Sequence, residues 1–125
     1  MNLKLTEEER AFRDELRPFF TTEIPADVRS KVAAGKPLGK DDFIATQRIL
    51  HARGLAVPNW PVEWGGQDWT PMQRNIWLSE MQLASVPEPL PFNASMIGPV
   101  IAQFGSQAMK ERFLPATANL DIWWC

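Results

Sequence analysis

Apolar residues recur along this chain at helical spacing. Phe12, Leu16, Phe19 and Phe20 stand at i, i+4, i+7 and i+8, one face of an amphipathic helix. Thr6 followed by Glu9 forms a capping box at its start, in which each side chain satisfies an otherwise orphan amide. Pro18 interrupts the face, so the pattern predicts a kink or an early end near Arg17. "AAGKPLGK" reads as a loop. A second helix is expected from Asp41 and Asp42, whose charges suit a helix N-terminus, with Phe43, Gln47 and Leu50 on one face and Gly54 just past its end.

The stretch "PNWPVEWGGQDWTPMQ" (58–73) puts three prolines, three tryptophans and a Gly-Gly pair beside only two charges. A core helix would exclude the prolines and a flexible linker would not carry Trp60, Trp64 and Trp69, so this is an ordered loop. Thr70, Pro71 and Gln73 then start another helix, through Met72, Ile76, Trp77 and Met81 to about Ser85. "VPEPLPF" turns the chain, and a helix reads from about Asn93 to Phe104, ended by Gly105. Ser106 caps a short helix with Lys110 and Arg112 that stops at Leu114-Pro115.

Two faces compete along "LPFNASMIGPVIAQF". Ile97, Val100, Ile101 and Phe104 make a continuous bulky stripe, whose default reading is core. Glu88, Pro91, Phe92 and Ser95 repeat the spacing with mixed size and polarity, which suits a channel wall. The final "DIWWC" is apolar and β-favouring, and is expected to begin a strand whose partners lie elsewhere. The expected architecture is all-α: an orthogonal or up-down bundle of about five helices over residues 1–120. Residues 121–125 would then start the first strand of a further β-domain.

Composition narrows the function classes. The 125 residues are 45% apolar and 22% charged, as in an ordinary globular domain, and a net charge of −2 gives no footprint for nucleic acid or an anionic membrane. No apolar run reaches membrane-spanning length. The start lacks the basic and apolar regions of a signal peptide, and Cys125 is the only cysteine; both point to a reducing, cytoplasmic setting. Residues 1–54 hold ten of thirteen basic and nine of fifteen acidic side chains, so the more apolar second half reads as material to be covered.

Taken singly, the residues offer no convincing active site. Gly65-Gly66 lacks the strand before it and the Gly-Lys-Ser/Thr after it that a phosphate loop needs, and reads as a turn. His51 has neither a second histidine for a metal nor a nearby nucleophile to activate, and fits a helix C-terminus. Glu7, Glu8 and Glu9 are a solvated helix start. Trp60, Trp64, Trp69 and Trp77 are better read as core than as a ligand platform.

The order of the pieces, "LTEEERAFRDELRPFF", "GLAVPNWPVEWGG", "TPMQRNIWLSEM", "IGPVIAQFGSQAMKERFLP" and "DIWWC", resembles the N-terminal region of the acyl-CoA dehydrogenase family. The resemblance spans essentially the whole chain. It implies an N-terminal helical domain, in which the Pro- and Gly-rich turn joins two helices with its aromatics packed between them. A β-domain and a C-terminal four-helix domain would follow. It also implies FAD as cofactor, an acyl-CoA thioester oxidised across Cα–Cβ, electron-transfer flavoprotein as electron acceptor, and a homo- or hetero-oligomer. The catalytic base would lie outside this chain, so the chain alone is expected to be inactive. Trp124 and Cys125 match an aromatic-Cys pair that leads into a flavin-binding Ser/Thr-Glu-Pro-Gly-type loop. The acyl tail is expected against Glu88, Pro91, Phe92 and Ser95, with Ser95 the most size-sensitive. Alternatives are a stand-alone all-α binding module, or the same domain of an acyl-CoA oxidase or related flavin oxygenase.

Overall fold

The computed structural model describes residues 4–125, so the first three positions of the expected 1–120 domain lie outside the described residues. The described elements are helical: α1 (Glu7–Thr22), α2 (Ala26–Ala33), α3 (Lys40–Ala52), a 3-10 turn (Val62–Trp64), α4 (Pro71–Leu83), a π-helical turn (Phe92–Ile97), α5 (Gly98–Phe104) and α6 (Gln107–Ala118). The all-α expectation holds, with six α-helices where about five were read. The added one is α2. It buries only Val28, so its two turns leave little periodic signal. Among the described residues no strand forms, and 123–125 have no regular secondary structure.

The chain forms two compact units. Of the described residues, the first comprises 4–37 and 69–87 and pairs α1 with α4. The Thr6–Glu9 capping box closes as read, with Glu9 N–H donating to Thr6 Oγ1 at 3.1 Å and Thr6 N–H to the Glu9 carboxylate at 2.8 Å. Leu16 and Phe20 of α1 and Ile76, Trp77 and Met81 of α4 are buried. Trp69 joins this core, edge-on to Phe12 with ring centroids 5.2 Å apart and tilted against Trp77 at 6.3 Å. Arg17 donates twice to the buried Glu80 carboxylate, both bonds at 2.9 Å, so a charge otherwise costly to bury is held by a fork-like pair.

Two helices run through prolines expected to end or kink them. α1 continues past Pro18 to Thr22, and α6 past Pro115 to Ala118. Both prolines face solvent, as do Asp14 and Glu111 four residues earlier, whose carbonyls lose an N–H donor but keep access to water. Beyond each proline lie buried residues, Phe20 in one case and Thr117 and Ala118 in the other, and their packing outweighs the missing hydrogen bond.

The second unit comprises 38–68 and 88–125. α3 starts where Asp42 accepts the Gly39 N–H at 3.0 Å, and ends at Gly54, whose φ of +75° favours glycine. Gln47 is the buried polar hub of α3: its amide donates to the Ala118 carbonyl at 3.0 Å and accepts the Leu90 N–H at 2.9 Å. The Pro- and Trp-rich loop is ordered, as expected. Gly65 adopts a φ of +102°, while Gly66 is needed for close approach, since a Cβ there would run into the Trp60 carbonyl.

The loop's tryptophans separate. Trp69 packs on α1 and α4, whereas Trp60, 3% exposed, packs its ring on Gly98 and donates its indole N–H to the Ala94 carbonyl at 2.7 Å. Pro99 explains why that carbonyl is available. It has no N–H, and its ring disfavours a regular helix at Ser95. Gly98 N–H bonds back five residues to Asn93, so the turn is π-helical and Ala94 is left for the indole.

The π turn also corrects the face assignment. The buried positions are Leu90, Asn93, Gly98 and Ile101, with a spacing of five across the turn. Of the bulky stripe read as core, only Ile101 is buried; Ile97 is half-buried, and Val100 and Phe104 are 52% and 77% exposed. An inserted residue rotates everything before it, which a 3.6-residue period cannot anticipate.

Candidate functional site

In the second unit, Phe92, Met96, Ile97, Val100, Trp124 and Cys125 line a pocket of about 320 Å³. Phe92, Met96 and Val100 reach it from one exposed face of the π turn and α5, while Trp124 and Cys125 form the facing wall. The pocket carries no charged side chain.

The wall with Trp124 is fixed by polar groups the sequence reading did not single out. Asn93, wholly buried, donates its amide to the carbonyls of Thr117 at 3.0 Å and Ile122 at 2.6 Å, and accepts the Trp124 N–H at 3.1 Å. The amide orientation is dictated by these partners, since only the NH2 end can face two carbonyls. The Trp124 indole N–H donates to Thr117 Oγ1 at 3.0 Å, and its ring stands edge-on to Phe113 at 5.9 Å. Trp123 packs edge-on against Phe43, also at 5.9 Å. An asparagine in an apolar helical run was the available signal, because a buried amide requires partners of its own.

Of the residues singled out in sequence, Phe92, Trp124 and Cys125 come together at this pocket. Glu88, Pro91 and Ser95 are exposed on the same segment and do not line it. Met96, Ile97 and Val100 line it instead, because the π turn sets the register. His51 lies half-buried in the last turn of α3. No described helix is long and apolar enough to cross a membrane.

An apolar slot bounded by a fixed indole, an unbranched Met and a compact Val fits the edge of a flat aromatic ring system or a hydrocarbon chain. It does not fit a pyrophosphate, which needs cationic side chains or a cluster of backbone amides.

Known proteins are similar to this chain in sequence and in fold. The family model for the acyl-CoA dehydrogenase N-terminal domain matches residues 6–121. The chain is 31% identical over 116 residues to acyl-CoA dehydrogenase FadE29 of Mycobacterium tuberculosis, covering 93% of this chain and 29% of that protein. It is 27% identical over 123 residues to acyl-CoA dehydrogenase IpdE1 of Mycolicibacterium smegmatis, covering 94% and 31%. Among solved structures, the ChsE4–ChsE5 complex from Mycobacterium tuberculosis superposes with a TM-score of 0.77 at 27% identity, covering 98% of this chain and 31% of that one. The Tcur3481–Tcur3483 steroid ACAD gives a TM-score of 0.79 at 29% identity, with the same coverage. The chain thus spans about a third of the length of these relatives. With the match running from the first capping box to Asp121, the chain belongs to the acyl-CoA dehydrogenase N-terminal domain family.

Proposed function

We propose that this chain is the N-terminal part of an FAD-dependent acyl-CoA dehydrogenase that introduces a Cα–Cβ double bond into an acyl-CoA thioester. One observation carries the reading: a single apolar pocket unites Phe92, from the segment expected to meet the acyl tail, with Trp124 and Cys125, expected at the flavin edge.

The roles follow from side-chain chemistry. Phe92, Met96, Ile97 and Val100 offer the acyl tail an apolar wall that excludes water. Met96 adapts most readily to its shape, because a thioether chain has no branching. Pro91, Ser95 and Glu88 would meet the substrate farther out along the same segment. Trp124 presents its indole, and Cys125 its backbone and thiol, to the ring edge. When bound, FAD supplies the two-electron acceptor for the reaction. No carboxylate lines the pocket, so abstraction of the α-proton is assigned to a carboxylate outside this chain. An acyl group bulkier than a straight chain is favoured, because one similar solved protein is a steroid ACAD. Assembly with a second chain is favoured because both similar structures are named as pairs. Electron-transfer flavoprotein is proposed as the acceptor.

The test is turnover by the full-length protein, alone and co-expressed with a second acyl-CoA dehydrogenase subunit, on steroid-side-chain and straight-chain CoA thioesters. Mass loss of two hydrogens with reduction of an artificial electron acceptor is the expected outcome. Hydrogen peroxide released in step with oxygen uptake would assign the domain to an oxidase instead. No turnover of either substrate class by flavin-loaded protein would overturn the reading.

A further inference from the structure

We infer that Asn93 is a positioning residue, which acts through Trp124 to set the flavin-edge wall of the pocket; this rests on the function proposed above. Three features carry it. Asn93 is completely buried, and its amide engages both Ile122 and Trp124, the residues that lead into the wall. Its remaining N–H donates to the Thr117 carbonyl, and the hydroxyl of that same Thr117 accepts the Trp124 indole N–H. Backbone and ring of Trp124 are thus both referred to one turn of α6 through two side chains, Asn93 and Thr117.

The geometry depends on the π turn. Asn93 lies five residues before Gly98, and its carbonyl accepts the Gly98 N–H while its side chain points inward. A regular helix through this segment would turn residue 93 by most of a quarter turn relative to Ile101, away from Thr117 and Ile122. Phe92, next in the chain, lines the pocket from the opposite wall. One short segment therefore supplies an apolar wall with Phe92 and holds the facing wall with Asn93, so the width of the slot is set locally.

The proposal is tested in the full-length protein with Asn93→Ser, which removes the reach of the amide, and Thr117→Val, which keeps volume and removes the hydroxyl acceptor. Incorporated 5-fluorotryptophan is read by 19F NMR, with the Trp124 resonance assigned by its loss in Trp124→Phe. Both variants are expected to shift or broaden that resonance selectively, leave the far-ultraviolet circular dichroism unchanged, and weaken FAD binding about tenfold, the scale of one or two lost hydrogen bonds. The effect should fall on kcat and the flavin spectrum more than on acyl-CoA KM. Should Asn93→Ser fail to fold, Thr117→Val alone decides. A folded variant with an unmoved Trp124 resonance overturns the inference. A displaced resonance with unchanged flavin affinity and spectrum supports the positioning role and overturns the flavin-edge reading of Trp124.

Discussion

The indole N–H of Trp60 donates to the carbonyl oxygen of Ala94 at 2.7 Å, across 34 residues of sequence. The bond occupies an acceptor that Pro99 cannot serve and ties the Pro- and Trp-rich loop to the π turn behind the pocket. Trp60→Phe keeps most of the ring and removes the donor. A loss of about 1–3 kcal/mol is expected in urea unfolding, the cost of an unpaired buried acceptor plus some lost packing. A loss below about 0.5 kcal/mol would show that water replaces the indole there.

Backbone conformation predicts changes of opposite sign. Ser85 holds a φ of +58° where Val86 N–H closes the end of α4 on the Met81 carbonyl at 2.9 Å. Ser85→Gly should therefore stabilise by about 1 kcal/mol. Gly66→Ala should destabilise by more than Gly35→Ala, because a methyl at 66 meets the Trp60 backbone and one at 35 meets open space. Melting temperatures of the three variants give the order directly.

Arg17 and Glu80 make the third test. Glu80 lies buried in α4 and receives both guanidinium bonds, so Arg17→Ala strands a carboxylate. Arg17→Ala should lower the melting temperature, and adding Glu80→Gln should recover part of the loss. Hydrogen bonding to Glu80, then its charge, raises the Arg17 pKa above its ordinary value. A cation whose pKa rises on folding contributes fully below its unfolded pKa and loses that contribution only as pH climbs through the folded one. The arginine's side of the pair should thus persist through neutral pH and fade in strong alkali, as a double-mutant cycle at neutral and strongly alkaline pH would reveal.

This chain expressed by itself should retain much less than one equivalent of FAD after gel filtration. The pocket offers a ring edge an apolar wall and offers a pyrophosphate nothing. Flavin absorbance near stoichiometric would contradict this.

Acyl selectivity should respond to the residues lining the pocket. Val100→Trp fills the slot and should reduce kcat/KM for bulky acyl-CoA by about tenfold or more while sparing short chains. Ser95→Leu, outside the lining, should have the smaller effect. Ile101→Ala, in the core, should cost about 2–5 kcal/mol of stability with selectivity unchanged. A larger kinetic effect from Ser95 than from Val100 would move the tail to the outer face of the segment.

Local chemistry was legible in the sequence by itself. The capping boxes at Thr6 and Thr70, the start of α3 at Asp42, the glycine after it at Gly54 and the ordered loop around Trp60 each follow from a few adjacent residues. So does the family resemblance, which rests on the order of such pieces. What tertiary structure decided was whatever depends on partners distant in the chain. Pro18 and Pro115 stay inside helices because the residues beyond them are buried. Residues 92–97 become a π turn because Pro99 denies an N–H and Trp60, far upstream, supplies one. That single inserted residue moved the pocket lining from Ser95 to Met96 and Val100, and turned Asn93 inward to hold Trp124. Helical periodicity reports which residues share a face only while every backbone donor has its regular acceptor, and here one does not.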